Sequence, residues 1–403
     1  MMSQSLIIVF FDNPLDFVCD YNLQTCLELA KKNKVIAFLW EDAKSFKELF
    51  IDWIKNHKKP RFIWKKNKVI FFQPIHIIPF RRLQTIKELN FFINIFFIKL
   101  VVFLLIVKSH FKNKIVWIFD PKFFLIPKLF INWLRLYDCV DYISSINPLE
   151  DKTKKRKEIV LIDSVNAVFT NSPALFKLKK SFHPKVFQVP QGCNINLFLE
   201  TKTLGPIKEF NKIPEPRIGF IGNIDHRLYF QLIADLAFRN PNWSFIFVGP
   251  ILIDYMESRI VKLKKNIEIL RSIRNIYFFP KISKEKIIHF IDNFNLGFIP
   301  YNCNQEFNKY CYPMKVFEYF ARGKPVIATP IESLLPLKPY IKIINSTKEV
   351  KKISSKIAKI IKDGWPKGYQ EEQKELALAN SWEKKIEKIS NILKKEFPER
   401  FKD

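Results

Sequence analysis

The chain has 403 residues, enough for two domains of about 150–200 residues each. At 48% hydrophobic and 26% charged it is too apolar to be a disordered chain. Lys and Arg outnumber Asp and Glu by 67 to 39, and the net charge of +28 favours an anionic partner; yet Lys, Ile, Asn and Phe are abundant throughout, as an AT-rich coding sequence would produce, so charge alone names no partner.

The first segment, MMSQSLIIVFFDNP, has a short apolar run and no basic residues before it, which reads as a buried strand rather than a secretory signal. Short apolar runs then recur at Leu6–Phe11, Val35–Leu39, Val69–Phe72, Ile115–Phe119, Ala167–Thr170 and Val186–Val189. Helical spacing lies between most of them, as at Asn22–Lys32 and Ile159–Ser164. Continuous apolar strands alternating with helices predict a parallel sheet covered on both faces. Residues 91–107, FFINIFFIKLVVFLLIV, are too few to span a bilayer comfortably and fall between two predicted strands of one sheet. A crossover helix is expected there, either buried or showing an apolar face to a bilayer, with a true span as the third alternative, and Arg81, Arg82, Lys87, Lys108, Lys112 and Lys114 lie alongside.

Cys19, Cys26, Cys139, Cys193, Cys303 and Cys311 show neither CxxC spacing nor a paired His pattern, so no zinc site is expected and a reducing cytoplasm fits. Asp138 and Asp141 lie near a predicted strand end and are candidates for acceptor contact or for simple turn and cap roles. His76 and His226 are lone histidines, the kind more often structural than catalytic. Residues 201–217 are polar, contain proline and lack apolar periodicity, which marks a linker between a first domain over 1–203 and a second over 216–380.

All nine glycines lie at or after Gly192. The first half can therefore hold neither a GxGxxG turn nor a P-loop, and a phosphate site belongs in the second half. There the strand–helix rhythm resumes, with strands at Ile218–Ile221, Ser244–Val248, Ile276–Phe279, Leu296–Pro300 and Pro325–Ala328, and helices at Leu228–Arg239 and Lys284–Asp292. In RIGFIGNIDHRLYF a strand runs into Gly222 and a turn carrying Asp225 and Arg227. A glycine there lets backbone N–H groups approach a phosphate, and Arg227 could add a cation, with Asp225 contacting substrate or orienting it; an ordinary turn with a surface arginine fits the same residues. In CYPMKVFEYFARGKPVIATP, Pro313 suits a first helical turn, Val316, Phe317 and Phe320 a buried face, and Gly323 the helix end. Lys315 and Glu318 share a face, where a lysine could meet phosphate and a carboxylate could accept from ribose hydroxyls, or the two could form a surface ion pair. The chain closes on an amphipathic helix from Ser381, its N-cap.

The stretch PMKVFEYFARGKPVIAT resembles the donor-binding signature of the group 1 glycosyltransferases, GT-B enzymes mostly of the retaining family 4. RIGFIGNIDHRLYF, residues 171–198, LYDCVDYIS and NSWEKKIEKI resemble further elements in the same order, LYDCVDYIS those of a subgroup that includes teichuronic-acid-type enzymes. The resemblance is strong from about residue 136 onward. It implies an α/β, GT-B fold of two Rossmann-like, doubly wound domains facing across a cleft, with residues 381–403 crossing back to the first. It implies that Glu318 binds the donor ribose, that Lys315 and Arg227 face the diphosphate as the catalytic cations, and that Gly222, Asp225, Pro313 and Met314 line the donor. No cofactor and no metal are expected, since no DxD element is present. The implied partners are a nucleoside-diphosphate sugar and a glycan or lipid-linked acceptor of cell-surface polysaccharide synthesis. The implied location is the cytoplasm, peripheral at the anionic inner face of the membrane.

Two departures stand out. Many members carry a glutamate eight residues before the ribose-binding one, where this chain has Tyr310, with Glu306 close by; the usual glycine-rich acceptor loop is missing. A catalytically degenerate GT-B scaffold is the first alternative. A basic nucleic-acid-binding protein is the second; the aromatics fall inside apolar runs rather than on basic faces, so no nucleic-acid partner is expected.

Overall fold

The computed structural model describes residues 3–15, 21–57, 62–78, 83–108, 110–143, 148–202, 205–252, 257–344, 350–366 and 368–401. Cys19, Arg81, Arg82 and residues 203–204 of the expected linker lie outside them. The chain divides into two compact units, Met1–Asn171 with Leu175–Val189 and Lys385–Asp403, and Ser172–Ala174 with Pro190–Lys384. The division thus falls at 189/190 and 384/385, where the sequence suggests 203 and 381.

The strands of the first unit are β1 Ser5–Phe10, β2 Lys34–Phe38, β3 Lys44–Ser45, β4 Ile63–Lys66, β5 Val69–Phe72, β6 Ile75–His76, β7 Asn113–Ile118, β8 Leu134–Cys139, β9 Ala167–Thr170 and β10 Val186–Gln188. Eight of them form one sheet in the order β10-β9-β8-β7-β1-β2-β5-β4, with β3 and β6 as a separate two-stranded ribbon. Every pair in the large sheet is parallel except β4 against β5. At its centre Ile7 faces Val35 on one side and Ile115 on the other, and every residue of β1 is buried. That is the burial a parallel sheet with helices on both faces imposes, and it explains the unbroken apolar runs.

β8 is not among the apolar runs of the sequence, although Asp138 and Asp141 read as lying near a strand end. Its LRLYDC run is broken by Arg135 and Asp138. Asp138 is fully buried because Lys385 pairs with it at 2.8 Å, both side chains about 1% exposed, and Trp117 Nε1 donates to it at 3.3 Å. Both contacts go to Oδ2, Oδ1 has no hydrogen-bond partner among the described residues, and the burial of the carboxylate favours a structural role over acceptor contact. Asp141, two residues past the end of β8, is exposed.

The run at 91–107 lies in a helix, Gln84–Lys108, that carries the chain from β6 to β7. It is a crossover helix as expected, but buried on one face only, through Asn90, Asn94, Ile95, Ile98 and Val102.

In the second unit β11 Arg217–Ile221, β12 Ser244–Val248, β13 Ile276–Phe279, β14 Leu296–Ile299, β15 Val326–Ala328 and β16 Ile341–Ile343 form an all-parallel sheet in the order β13-β12-β11-β14-β15-β16. The predicted strands appear within a residue of their expected bounds. Lys284–Asp292 is helical as expected, and the helix after β11 begins at Phe230 rather than Leu228. Ser381 Oγ accepts from the Lys384 N–H and caps the helix Trp382–Glu396.

Candidate functional site

The strand order of the second unit reverses between β11 and β14: β12 and β13 extend one way, β15 and β16 the other. Open α/β sheets bind ligands beyond the carboxyl ends of their strands at such a reversal. Here the two strands pair only through Ile218 with Leu296 and Gly219 with Gly297. Beyond those pairs the ladder is replaced by a side chain. The fully buried Tyr319 hydroxyl accepts from the Ile221 N–H at 3.1 Å and donates to the Gly219 carbonyl at 3.1 Å. Burial pushes this phenol well above its ordinary range, so it stays protonated and able to donate. Gly297 makes room for it, since a Cβ there would lie 2.5 Å from the ring.

Tyr319 belongs to the helix Lys315–Ala321, which it fixes against β11. Pro313 is buried before this helix instead of in its first turn. The contacts that precede the helix run three residues back, from Val316 N to Pro313 O and from Phe317 N to Met314 O, so the α-helical ladder starts only at Lys315. At the other end Gly323 has φ of +61°. The Gly323 N–H bonds the Phe320 carbonyl and the Lys324 N–H the Tyr319 carbonyl, the paired closure that favours glycine.

Lys315 reaches from this helix to the end of β11. Its Nζ donates to the Tyr301 hydroxyl at 2.7 Å and lies 4.0 Å from the Phe220 ring centroid. A Cβ on Gly222 would sit 2.7 Å from the same nitrogen. Gly222 has φ of +141°, a conformation that residues with side chains rarely adopt, so both its backbone and the space beside it call for glycine.

Arg227 flanks the same aromatic ring, its guanidinium 5.7 Å from the Tyr301 centroid against 4.8 Å for Lys315 Nζ. Asp225 orients it: Nη2 donates to Oδ2 at 2.7 Å, Nε to both carboxylate oxygens at 3.0 Å, and Asp225 Oδ1 also accepts from the Arg227 N–H. The Arg227 carbonyl in turn accepts from Asn302 N–H at 2.8 Å and from the buried Asn308 at 2.9 Å. Two cations, a glycine and a phenol therefore converge on one strand end. Such a group can take a phosphate and hold charge that develops on it. Glu318 follows one turn along the helix, half-buried. A cavity of about 270 Å³ is lined by Tyr301 together with Tyr229, Asn302, Cys303, Thr329 and Ile344 among others. It lies just under the usual range for drug-sized ligands, so it suits part of one.

Gly222, Asp225, Arg227 and Lys315, singled out from the sequence, are thus brought together. Asp138 and Asp141 belong to the other unit. His76 is buried and edge-on to Trp40 at 5.4 Å, while His226 is half-buried in the Asp225 turn. Glu306 is exposed at the start of a short helix that ends at Tyr310. Among the described residues no group of three or more His, Cys, Asp or Glu could hold a metal ion.

Sequence reasoning missed Tyr301 and Tyr319, which bridge segments distant in the chain. It also missed Asp12, which follows β1 in FFDNP. β1 and β7 mark the order reversal of the first sheet, and Asp12 sits at that strand end bonded to Tyr21 and Asn22. Burial raises its pKa, while those two hydrogen bonds and the nearby Lys122 pull the other way.

Solved structures share this architecture over nearly the whole chain. Sucrose-phosphate synthase from Thermosynechococcus elongatus aligns with a TM-score of 0.70, covering 98% of this chain and 100% of that one at 12% identity. HepE from Anabaena, solved with UDP and glucose, aligns with a TM-score of 0.63 over 97% and 99% at 14% identity. A trehalose-6-phosphate protein of E. coli, solved with UDP-2-fluoro glucose, aligns with a TM-score of 0.67 over 96% and 98% at 9% identity. The fold is GT-B. By sequence the chain is similar to TuaH of Bacillus subtilis (strain 168), provisionally named a teichuronic acid biosynthesis glycosyltransferase. The two are 24% identical over 281 residues, 66% of this chain and 68% of that protein. No family model matches the chain.

Proposed function

We propose that this protein is a glycosyltransferase that takes a sugar from a nucleoside-diphosphate donor bound at the carboxyl ends of β11 and β14. The observation that carries the reading is the convergence of Lys315 and Arg227 on Tyr301 beside Gly222 at the sheet's reversal point. The similarity to TuaH and the sugar-nucleotide complexes of structures with this fold support it.

In this reading the diphosphate lies against Gly222 with Lys315 and Arg227 as counter-charges, and Glu318 accepts from the ribose hydroxyls. The bond from the anomeric carbon to the β-phosphate oxygen breaks and its electron pair stays on that oxygen. The two cations stabilise this charge, which is the main catalytic task and needs no bound metal. The acceptor hydroxyl oxygen bonds to the anomeric carbon on the same face and its proton passes to the departing phosphate, so configuration is retained. The acceptor is a glycan or a lipid-linked sugar of cell-surface polysaccharide synthesis, and the enzyme works in the cytoplasm, peripheral at the inner face of the membrane.

The test is thermal unfolding of wild type and Glu318→Ala with UDP, GDP, ADP and their sugars. A ligand bound only by the folded state raises the midpoint by mass action. One nucleotide series should stabilise the wild type, with the shift lost in the variant and unchanged by EDTA. A well-folded wild type that answers to none of them removes the donor site.

A further inference from the structure

We propose that the first unit docks on an anionic lipid bilayer through the outer faces of two helices, Phe46–Asn56 and Gln84–Lys108. This deepens the reading of a lipid-linked acceptor given above and rests on it for its purpose, although the surface stands on its own observations.

The outer face of Gln84–Lys108 carries Leu89, Phe92, Phe96, Leu100, Phe103 and Val107, which recur at the three-and-four spacing of a single helical stripe. All are exposed, Phe96 at 66%, Phe103 at 61% and Val107 at 67%. A helix covering a soluble sheet carries polar residues on that side; this one has mean hydropathy of 2.5 over its apolar stretch, of which only 28% is buried. The second helix repeats the inversion. Phe46, Phe50, Ile51, Trp53 and Ile54 are exposed, Phe50 at 58% and Trp53 at 55%, while Leu49 is buried. Isolated exposed apolar side chains are ordinary, but two helices of one unit with apolar outer faces call for a partner.

The two helices are tied through the β3–β6 ribbon. β3 runs straight into Phe46–Asn56, with Ser45 and Glu48 forming its capping box. β6 is gripped from the long helix. Asn94 accepts from the Ile75 N–H at 2.9 Å and donates to the Ile75 carbonyl at 2.7 Å, and Asn90 does the same for Ile78 at 2.9 Å each. Each asparagine thus stands in for a neighbouring strand. Withdrawing the helix to span a bilayer would strip these buried amides of their partners, at a cost that favours lying in the interface.

Charge commits the surface to an anionic lipid. Residues 44–114 hold sixteen Lys and Arg against three acidic residues, a net +13 that is nearly half of the chain's +28. Lys47, Lys55, Lys65, Lys66, Lys68, Lys87 and Lys112 are exposed. An apolar face bordered by lysines is what an anionic membrane surface attracts, the lysines meeting headgroup phosphates and the rings entering the acyl boundary.

The experiment is flotation of the full chain with vesicles of phosphatidylcholine alone and of equimolar phosphatidylcholine and phosphatidylglycerol, at low and high salt. Wild type should float with the anionic vesicles, less so at high salt, and be released by alkaline carbonate. The double variant Phe96→Glu, Phe103→Glu should bind about tenfold more weakly or worse, and Phe50→Glu, Trp53→Glu likewise. Nucleotide-dependent thermal shifts, read without vesicles, should be unchanged in both variants, which shows them folded. Wild type that does not float, variants that float as well as it, or a stable dimer in solution that the glutamates split would each overturn the docking. Vesicle binding by a chain that answers to no nucleotide would leave the docking standing and sink the donor site instead.

Discussion

Both units present a strand end at the point where the order of a parallel sheet reverses, and the two ends are furnished in opposite ways. In the second unit β11 runs into Gly222 and is met by Lys315 and Arg227. In the first, β1 runs into Asp12, held by Tyr21 and Asn22, with no glycine in the unit. The cationic end sets two positive side chains beside a glycine. The acidic end carries a half-buried carboxyl whose pKa burial raises, against the pull of its hydrogen bonds to Asn22 and Tyr21. The same topology thus carries two different sets of side chains, since the residues just beyond the strands decide the chemistry.

Separating structure from chemistry across this pair begins with the largest effect. Lys385→Met strands Asp138 as an uncompensated buried charge in the first unit. It should cost about 3–5 kcal/mol of stability, read as a fall in the denaturation midpoint. Lys315→Ala should leave folding nearly untouched and lower kcat by about 10²–10³-fold, read in a transfer assay with the nucleotide that stabilises wild type. Loss of stability without loss of turnover would assign Lys315 to the structural class instead. Tyr319→Phe lies between the two. Removing its hydroxyl leaves the Ile221 N–H and the Gly219 carbonyl without that bridge, at about 1–3 kcal/mol, and should weaken nucleotide binding by loosening the helix that carries Lys315. The smallest effect belongs to Asp12. Its pKa is raised on folding, so the folded state holds that proton more tightly than the unfolded chain. Stability from this site is present at low pH and lost as pH rises through the folded pKa. Asp12→Asn should flatten that decline, checked by melting temperature across the carboxylate range.

Most of the fold was legible because buried parallel strands leave unbroken apolar runs, and ten of the eleven predicted strands lie within a residue of their observed bounds, β7 beginning two residues earlier than its run. β8 was illegible for a definite reason. Asp138 interrupts its run, and the lysine that makes the interruption tolerable lies 247 residues away. Lys315 and Arg227 were legible as candidates through local turn and helix signals, whereas Tyr301 and Tyr319 act across the sheet and leave no local trace. The exposed faces of Gln84–Lys108 and Phe46–Asn56 show the same limit. Periodicity reveals a helix, but which face lacks a cover depends on what the rest of the chain packs against it.

The Tyr319 hydroxyl has a consequence for recognition. Because it takes over the hydrogen bonds of β11 where β14 turns away, the gap between the two strands is a finished part of the folded protein. A ligand that bound beyond this strand end would not have to prise a ladder apart, and the free energy of its contacts would go to holding it rather than to opening a place for it.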